Sequence, residues 1–292
     1  DLLSSKPEPH LIVNELVKLA PNKIHFYEAI TIQKNGILTT EPFKKGENNG
    51  ILRIRCVGNL IIEKGGKIDV SELGYLGGLN SGISSDGIDP QGMSYDEKIG
   101  IKSLAANFGG GGGGQSSSKY GSIAGGGGGY GTDGKEADHN RYSGKDNPGA
   151  KGGKAYSDEK LTEGLKLGSG GGAGSLYSNS ESDKNKWPHG GHGGGALEII
   201  APEIEIKDGG GIYSNGQNGK SGQTTYASGG GGGSGGTILI RTPKLINNGE
   251  IIAKGGLGGK QGPNSNCNGI NSIGGLGGFG RIRLDVFDFE KN

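Results

Sequence analysis

Apolar and polar residues alternate with a period of two in several short stretches of this chain, and the stretches recur in a fixed phrase. The phrase is a short alternating strand, a polar or Pro-containing corner, a second strand, an Asn/Gly turn and a third strand. It occurs at Ile24 to Thr40, Ile51 to Ser71, Ala196 to Gly216 and Thr237 to Gly255, with a shortened copy at Arg281 to Glu290. Leu52, Ile54 and Cys56 alternate with Arg53 and Arg55, and Ile204 and Ile206 alternate with Glu203 and Glu205, so each strand has one apolar and one charged face. One phrase alone cannot bury its apolar face. Copies stacked at strand spacing pair through their backbones and enclose a shared apolar column. The pattern therefore predicts an all-β protein, a short right-handed parallel β-solenoid of four or five rungs. A β-sandwich of antiparallel hairpins is the alternative. The turns Asn35-Gly36, Gly65-Gly66 and Asn248-Gly249 suit corners with positive φ.

Composition changes this picture in one respect. Glycine supplies 67 of 292 residues, more than three times the average of about 7%, while the residues AVILMFWYC reach only 30%. The glycines fall into tracts at Phe108 to Gly114, Gly125 to Gly131, Gly168 to Gly174, Gly190 to Gly195, Gly229 to Gly236 and Gly274 to Gly280. Runs rather than a strict triplet, with only 10 prolines, exclude collagen. Without side chains to hold them apart, such tracts can pack backbone to backbone as polyproline-II-like segments beside the strands. The alternative is floppy low-complexity insertion. The expected organisation is a single domain over 1–292. It comprises an extended N-terminal cap (1–23), first rungs (24–76), a glycine-rich insertion (77–195) and later rungs with glycine-rich loops (196–292).

Lys and Arg number 31 against 30 acidic residues, so the near-zero net charge argues against nucleic acid as a partner. The chain opens on DLLSSKPEPH and has no apolar run long enough to span a bilayer, which suggests a mature form or excised fragment without membrane insertion. Cys56 in a strand pattern and Cys267 in a polar loop read as one buried thiol and one incidental loop thiol, not a disulfide pair. The absence of Asn-x-Ser/Thr sequons argues against a eukaryotic secretory route. It leaves a bacterial surface or a cytosolic part of a larger protein open, with an extracellular or cell-surface location as the first expectation.

The candidate chemistry is sparse. Gly219-Lys220-Ser221 lacks the rest of a phosphate-binding loop, and Gly129 to Gly134 matches a calcium-binding Gly/Asp repeat only once where stacked copies are needed. His189 and His192, three apart after Trp187, are too few to close a zinc site, so neither a metal nor a cofactor is expected. Asp285 with Asp288, and Glu203 with Glu205, are the acid pairs a glycan-cleaving enzyme would need. Both read better as outward strand positions, with Asp285 and Asp288 on opposite faces. Aromatic side chains cluster in the insertion at Tyr120, Tyr130, Tyr142, Tyr156, Tyr177 and Trp187, and their flat faces with polar tips suit sugar stacking or a protein interface. Capping of the glycine core is the plainer role for them.

The phrases KLINNGEIIAKGGLGG (Lys244 to Gly259) and NLIIEKGGKIDVSELGYLGG (Asn59 to Gly78) resemble rungs of right-handed β-helical surface proteins such as filamentous haemagglutinins and autotransporter passengers. The strings GGGGGYGTDG, LGSGGGAG, GGHGGGALEI, GGGGGSGGTILI and GGLGGFGRIRLDV are similar to glycine-rich adhesin-like modules. They also resemble the polyproline-II bundles of anaplastic lymphoma kinase-type glycine-rich domains and phage tail-fibre adhesins. The resemblance implies a non-catalytic structural or adhesive module of a surface protein or larger assembly. Such a module binds glycan, protein or neighbouring subunits through the insertion. A polysaccharide lyase or hydrolase and an intracellular scaffold are the alternatives.

Overall fold

The computed structural model describes every residue except 1–5, 48, 80–86, 89–90, 96–102, 104, 107, 118–120, 139, 143–144, 148, 158–159, 163, 177–186, 224–226, 263–271 and 292. Among the described residues there is no helix, and so none that could cross a membrane. The first eight strands are β1 (Leu11–Val13), β2 (Leu16–Leu19), β3 (Ile24–Tyr27), β4 (Ile30–Ile32), β5 (Ile37–Thr40), β6 (Ile51–Cys56), β7 (Leu60–Ile62) and β8 (Lys67–Asp69). The insertion holds β9 (Gly87–Ile88), β10 (Gln115–Ser117), β11 (Gly121–Ser122), β12 (Asn140–Tyr142) and β13 (Lys145–Asn147), which pair antiparallel among themselves. The last six are β14 (Ala196–Ile200), β15 (Glu203–Ile206), β16 (Gly211–Tyr213), β17 (Thr237–Asn247), β18 (Glu250–Ile252) and β19 (Arg281–Glu290).

All strands outside the insertion pair in parallel, which removes the antiparallel sandwich. They form a nine-stranded sheet in the order β1-β4-β7-β15-β17-β14-β6-β3, with β19 also on β17, and a five-stranded sheet in the order β18-β16-β8-β5-β2. The hinge of the larger sheet is β17. Its first half pairs with β14 (Leu197↔Ile238, Ile199↔Ile240) and its second half with β15 (Ile204↔Leu245). Pro243 sits between the two halves, after the last pair with β14 and before the first with β15, and the β19 register on the other edge skips it. The sheet therefore continues through the corner and curls into a nearly closed, barrel-like surface, and the second sheet packs its apolar residues into the same core. This corrects the short right-handed parallel β-solenoid expected from the repeated phrase. The phrase predicts a strand break at each corner, whereas β17 and β19 are continuous and merge two of the expected faces into one sheet.

The alternating residues point where the period of two places them. Leu52, Ile54, Leu60, Ile62, Leu197, Ile199, Ile204, Ile206, Ile238, Ile240 and Leu245 from the large sheet are buried in one cluster with Leu38, Ile68 and Ile212 from the small one. Cys56 belongs to the same cluster as a free thiol, and burial pushes its ionisation up to about 12. Because that value lies above the thiol's ordinary 9.0, its contribution to stability is complete below pH 9 and is lost as pH rises through about 12. Residues 1–23, expected as an extended cap, supply β1 and β2 to the two sheets.

The corners are stacked. Asn35 (φ 68°), Gly65 (φ 80°) and Gly209 (φ 75°) lie above one another, with Asn35 N–H donating to Gly65 O and Gly65 N–H to Gly209 O. The turn at Asn248-Gly249 differs, since neither residue has positive φ. Glycine is required there by close approach, because a Cβ would lie 2.2 Å from the carbonyl oxygen of Gly210.

Beside the sheets the glycine tracts form a second ordered core. Residues 228–236 run through its middle. Ser228, Gly231 and Ser234 donate to the carbonyls of Ser175, Gly172 and Ser169. Gly229, Gly232 and Gly235 donate to Ser272, Gly275 and Gly278, and Gly230, Gly233 and Gly236 donate to Lys220, Gln217 and Ser214. Every third residue thus faces the same neighbour, the repeat of a three-residue-per-turn extended helix. Three further segments donate back: Gly125 and Gly128 to Gly229 and Gly232, Gly191 and Gly194 to Gly231 and Ser234, and Gly256 and Gly259 to Gly233 and Gly230. One tract is therefore surrounded by six others, and each of its N–H groups is satisfied without a regular sheet. Serines mark the register where SGGGAGS (169–175) meets SGGGGGS (228–234) antiparallel. Ser169 N–H donates to Ser234 Oγ at 2.8 Å, and Ser175 N–H donates to Ser228 Oγ at 2.7 Å. Tracts ending at Gly195, Gly236 and Gly280 lead directly into β14, β17 and β19, so the glycine layer and the apolar core share one set of strand starts.

Candidate functional site

The six aromatic residues singled out in the insertion do not form one exposed group. Tyr120 and Tyr177 lie outside the described residues, and Tyr142 falls in β12, whose side chains are likewise outside them. Trp187 is buried with Leu176 and Ala227 in a small cluster of its own. Tyr130 is fully buried between the glycine layer and the start of β17. Its phenol lies 2.6 Å from Thr237 Oγ1, which spends its own proton on the carbonyl of Lys166, so Tyr130 is the donor. Arg281 sits 5.7 Å from the centre of the Tyr130 ring.

Tyr156 links this buried ring to the surface. Its phenol donates to the carbonyl of Leu167 and accepts from Ser169 Oγ at 3.1 Å, and desolvation raises its ionisation well above the ordinary phenol value. Its ring packs 4.9 Å from Tyr130 on one side and 5.0 Å from Tyr95 on the other, and Tyr95 packs 5.5 Å from Phe108. Tyr95 and Phe108 are exposed. The result is a row of four rings, two anchored and two at the surface. Sequence reasoning missed both surface members, because Tyr95 lies in a segment without periodicity and Phe108 reads as the first residue of a glycine tract. Phe108 has a φ of 50°, and Gly109 after it cannot carry a Cβ, which would lie 2.4 Å from the Tyr156 ring. The glycine tract thus lets the ring row pass close to the backbone.

The histidine pair lines a separate cavity of about 340 Å³ with Leu79, Gln217, Asn218 and Lys220. Its polar groups serve the lattice. His192 Nδ1 accepts from Gly77 N–H at 3.0 Å, Gln217 Oε1 accepts from His192 N–H, and Asn218 Oδ1 accepts from Leu257 N–H. Burial, and then the neighbouring His189, hold His192 below the usual imidazole range. Among the described residues no group of three His, Cys, Asp or Glu side chains is placed to hold a metal ion. Gly219 and Lys220 are lattice segments, their N–H groups donating to Leu257 and His189. Asp133, in the calcium-like string, is held below the usual carboxylate range mainly by Lys154, to which it is bonded at 2.8 Å.

The acid pairs are placed on the outer faces of strands. Asp285 is in register with Arg241 and Asp288 with Lys244, whereas Leu284 and Phe289 align with buried Ile240 and Leu245. The corner at Phe287 resets the alternation, so both acids point outward, which corrects the expectation of opposite faces. Asp285 bonds Arg283 at 2.7 Å and Arg241 at 3.4 Å, which lowers its ionisation. Arg241 also reaches buried Glu198 at 3.1 Å, and Glu198 in turn lies 3.7 Å from Arg53. Asp285 and Glu198 are thus neutralised by arginines in a charge ladder across the sheet, and Glu203 lies 3.9 Å from the Lys244 ammonium.

Comparison with family models, with curated proteins and with solved structures finds no match to this chain.

Proposed function

We propose that this protein is a non-catalytic structural and adhesive module of a surface protein or larger assembly. It binds a glycan or protein ligand on the aromatic end of its insertion. The observation that carries the reading is the ring row Tyr130–Tyr156–Tyr95–Phe108, whose inner half is locked into the glycine layer and whose outer half presents two faces to solvent. Anchored aromatics offer contact area at little conformational cost, which favours stacking on a sugar ring or an apolar protein side chain. The arginine-paired carboxylates favour a non-catalytic role for the outer sheet face. The resemblance of the glycine strings to adhesin modules points in the same direction.

The test is binding to glycan and cell-surface protein arrays, with Tyr95→Ala and Phe108→Ala variants compared with the parent. The reading expects a ligand whose affinity falls at least about 30-fold in the double variant, the size of a central aromatic contact. An unchanged affinity would move the site elsewhere. Release of reducing or unsaturated sugars from a polysaccharide panel would replace the adhesive reading with the enzymatic one.

A further inference from the structure

Two neighbouring tracts of the glycine layer build the wall of the histidine cavity. Residues 189–192 and 217–220 run antiparallel, with Gln217 N–H donating to His192 O and Lys220 N–H donating to His189 O. Gly191 and Gly219 are packed against the carbonyl oxygens of Gln217 and Gly230 and leave no room for a Cβ. The positions beside them, His189, His192, Gln217, Asn218 and Lys220, line the cavity. The wall is therefore held from behind by the lattice and needs no ordering when a ligand arrives.

The lattice takes the acceptors of these side chains and leaves their donors. Gly77 N–H donates to His192 Nδ1 at 3.0 Å, so the proton of the neutral imidazole sits on Nε2. Leu257 N–H donates to Asn218 Oδ1 at 2.8 Å, which leaves the amide to present Nδ2. Gln217 Oε1 takes the N–H of His192, and its Nε2 donates to Glu72 at 3.0 Å. Lys220 is the one lysine or arginine among the described lining residues. Neutral N–H donors around a single ammonium match a ligand that is rich in acceptors and carries one negative charge. Size narrows the choice. About 340 Å³ holds far more than a bare inorganic anion and lies at the low end of the ~300–1,000 Å³ range of small-molecule sites, the scale of one sugar ring. Leu79, exposed at the cavity, offers an apolar wall for the C–H face of such a ring.

We propose that this cavity binds a uronate residue of an acidic glycan, its carboxylate taken by the Lys220 ammonium and by the N–H donors of Asn218 and His192. The site shares no residue with the aromatic row and does not depend on a ligand there. The test is titration calorimetry of the whole chain with the methyl glycosides of glucuronate and galacturonate. Methyl glucoside, methyl galactoside, acetate and sulfate serve as controls. At least one uronate is expected to bind one-to-one with a Kd in the millimolar range or below, and every control at least about tenfold more weakly. Lys220→Gln and Asn218→Asp are each expected to weaken that binding at least about tenfold, and Lys220→Arg to keep it within about threefold. Asn218→Asp retains the oxygen that accepts Leu257 N–H, so the lattice bond survives while the donors give way to a like charge. Circular dichroism confirms that each variant folds. Neutral glycosides binding as well as the uronates would overturn the proposal. So would acetate or sulfate binding as well, which would leave a general anion site only. Absence of uronate binding at millimolar concentrations, or binding unchanged in both Lys220→Gln and Asn218→Asp, would overturn it too.

Discussion

Gly232→Val is expected to prevent this protein from folding, or to destabilise it by about 4 kcal/mol or more, the range reached only when a core cannot accommodate a change. Gly232 lies mid-tract, and a Cβ alone would sit 2.1 Å from the carbonyl oxygen of Gly256 and 2.9 Å from that of Leu257. Both are backbone atoms, and the Gly256 segment is itself bonded to Gly233. Relief therefore requires moving a tract that holds other tracts, and the added branches of valine make the demand larger. Gly231→Val should behave alike, since its Cβ would meet Gly126 O at 1.9 Å. The contrast is Gly46→Ala. Nothing lies within 4 Å of that Cβ, and the cost is confined to a positive φ of 79°, on the order of 1–2 kcal/mol. Denaturant unfolding of the variants measures the difference. Equal, small losses at positions 232 and 46 would show that the tracts yield like linkers.

Ile199→Ala should be the costliest simple truncation in the apolar core, at about 2–5 kcal/mol. Ile199 is fully buried, with Ile54 and Ile240 in register on its two neighbouring strands. The strands on both sides fix the backbone, so the cavity left by the missing atoms closes poorly. Ile251→Ala in β18, at the edge of the small sheet and only partly buried, should cost clearly less. The same unfolding measurement decides it, and equal losses at both positions would mean that the end row is covered as well as the middle.

Much of the local structure was legible in the chain. Period-two alternation placed Leu52, Ile54, Cys56, Ile204 and Ile206 on the buried face, and Asn35 and Gly65 adopt the positive φ their turns suggested. The large-scale arrangement was not. A proline in an alternating run reads as a strand break, whereas the registers on both edges skip Pro243, and β17 continues past it and joins two faces into one sheet. The solenoid expectation failed at that residue. The reset of alternation at Phe287, which turns Asp285 and Asp288 to the same side, is the same corner one strand further on. For the site, composition drew attention to tyrosines of the insertion but carried no information on their depth. Tyr130 and Trp187 have the same amphipathic chemistry as Tyr95, and what separates them is which tracts pack beside them, a property of the assembled lattice.

The central claim is that glycine backbone, without side chains, forms a core as ordered as the apolar one. Native-state amide hydrogen exchange across residues 228–236 tests it directly, because all nine N–H groups are bonded to three neighbouring tracts. The account predicts protection of Gly231, Gly232 and Gly233 equal to that of Ile199 and Ile240 in the buried strands. Exchange of those glycines at the rate of an unstructured chain, with the strands still protected, would contradict it.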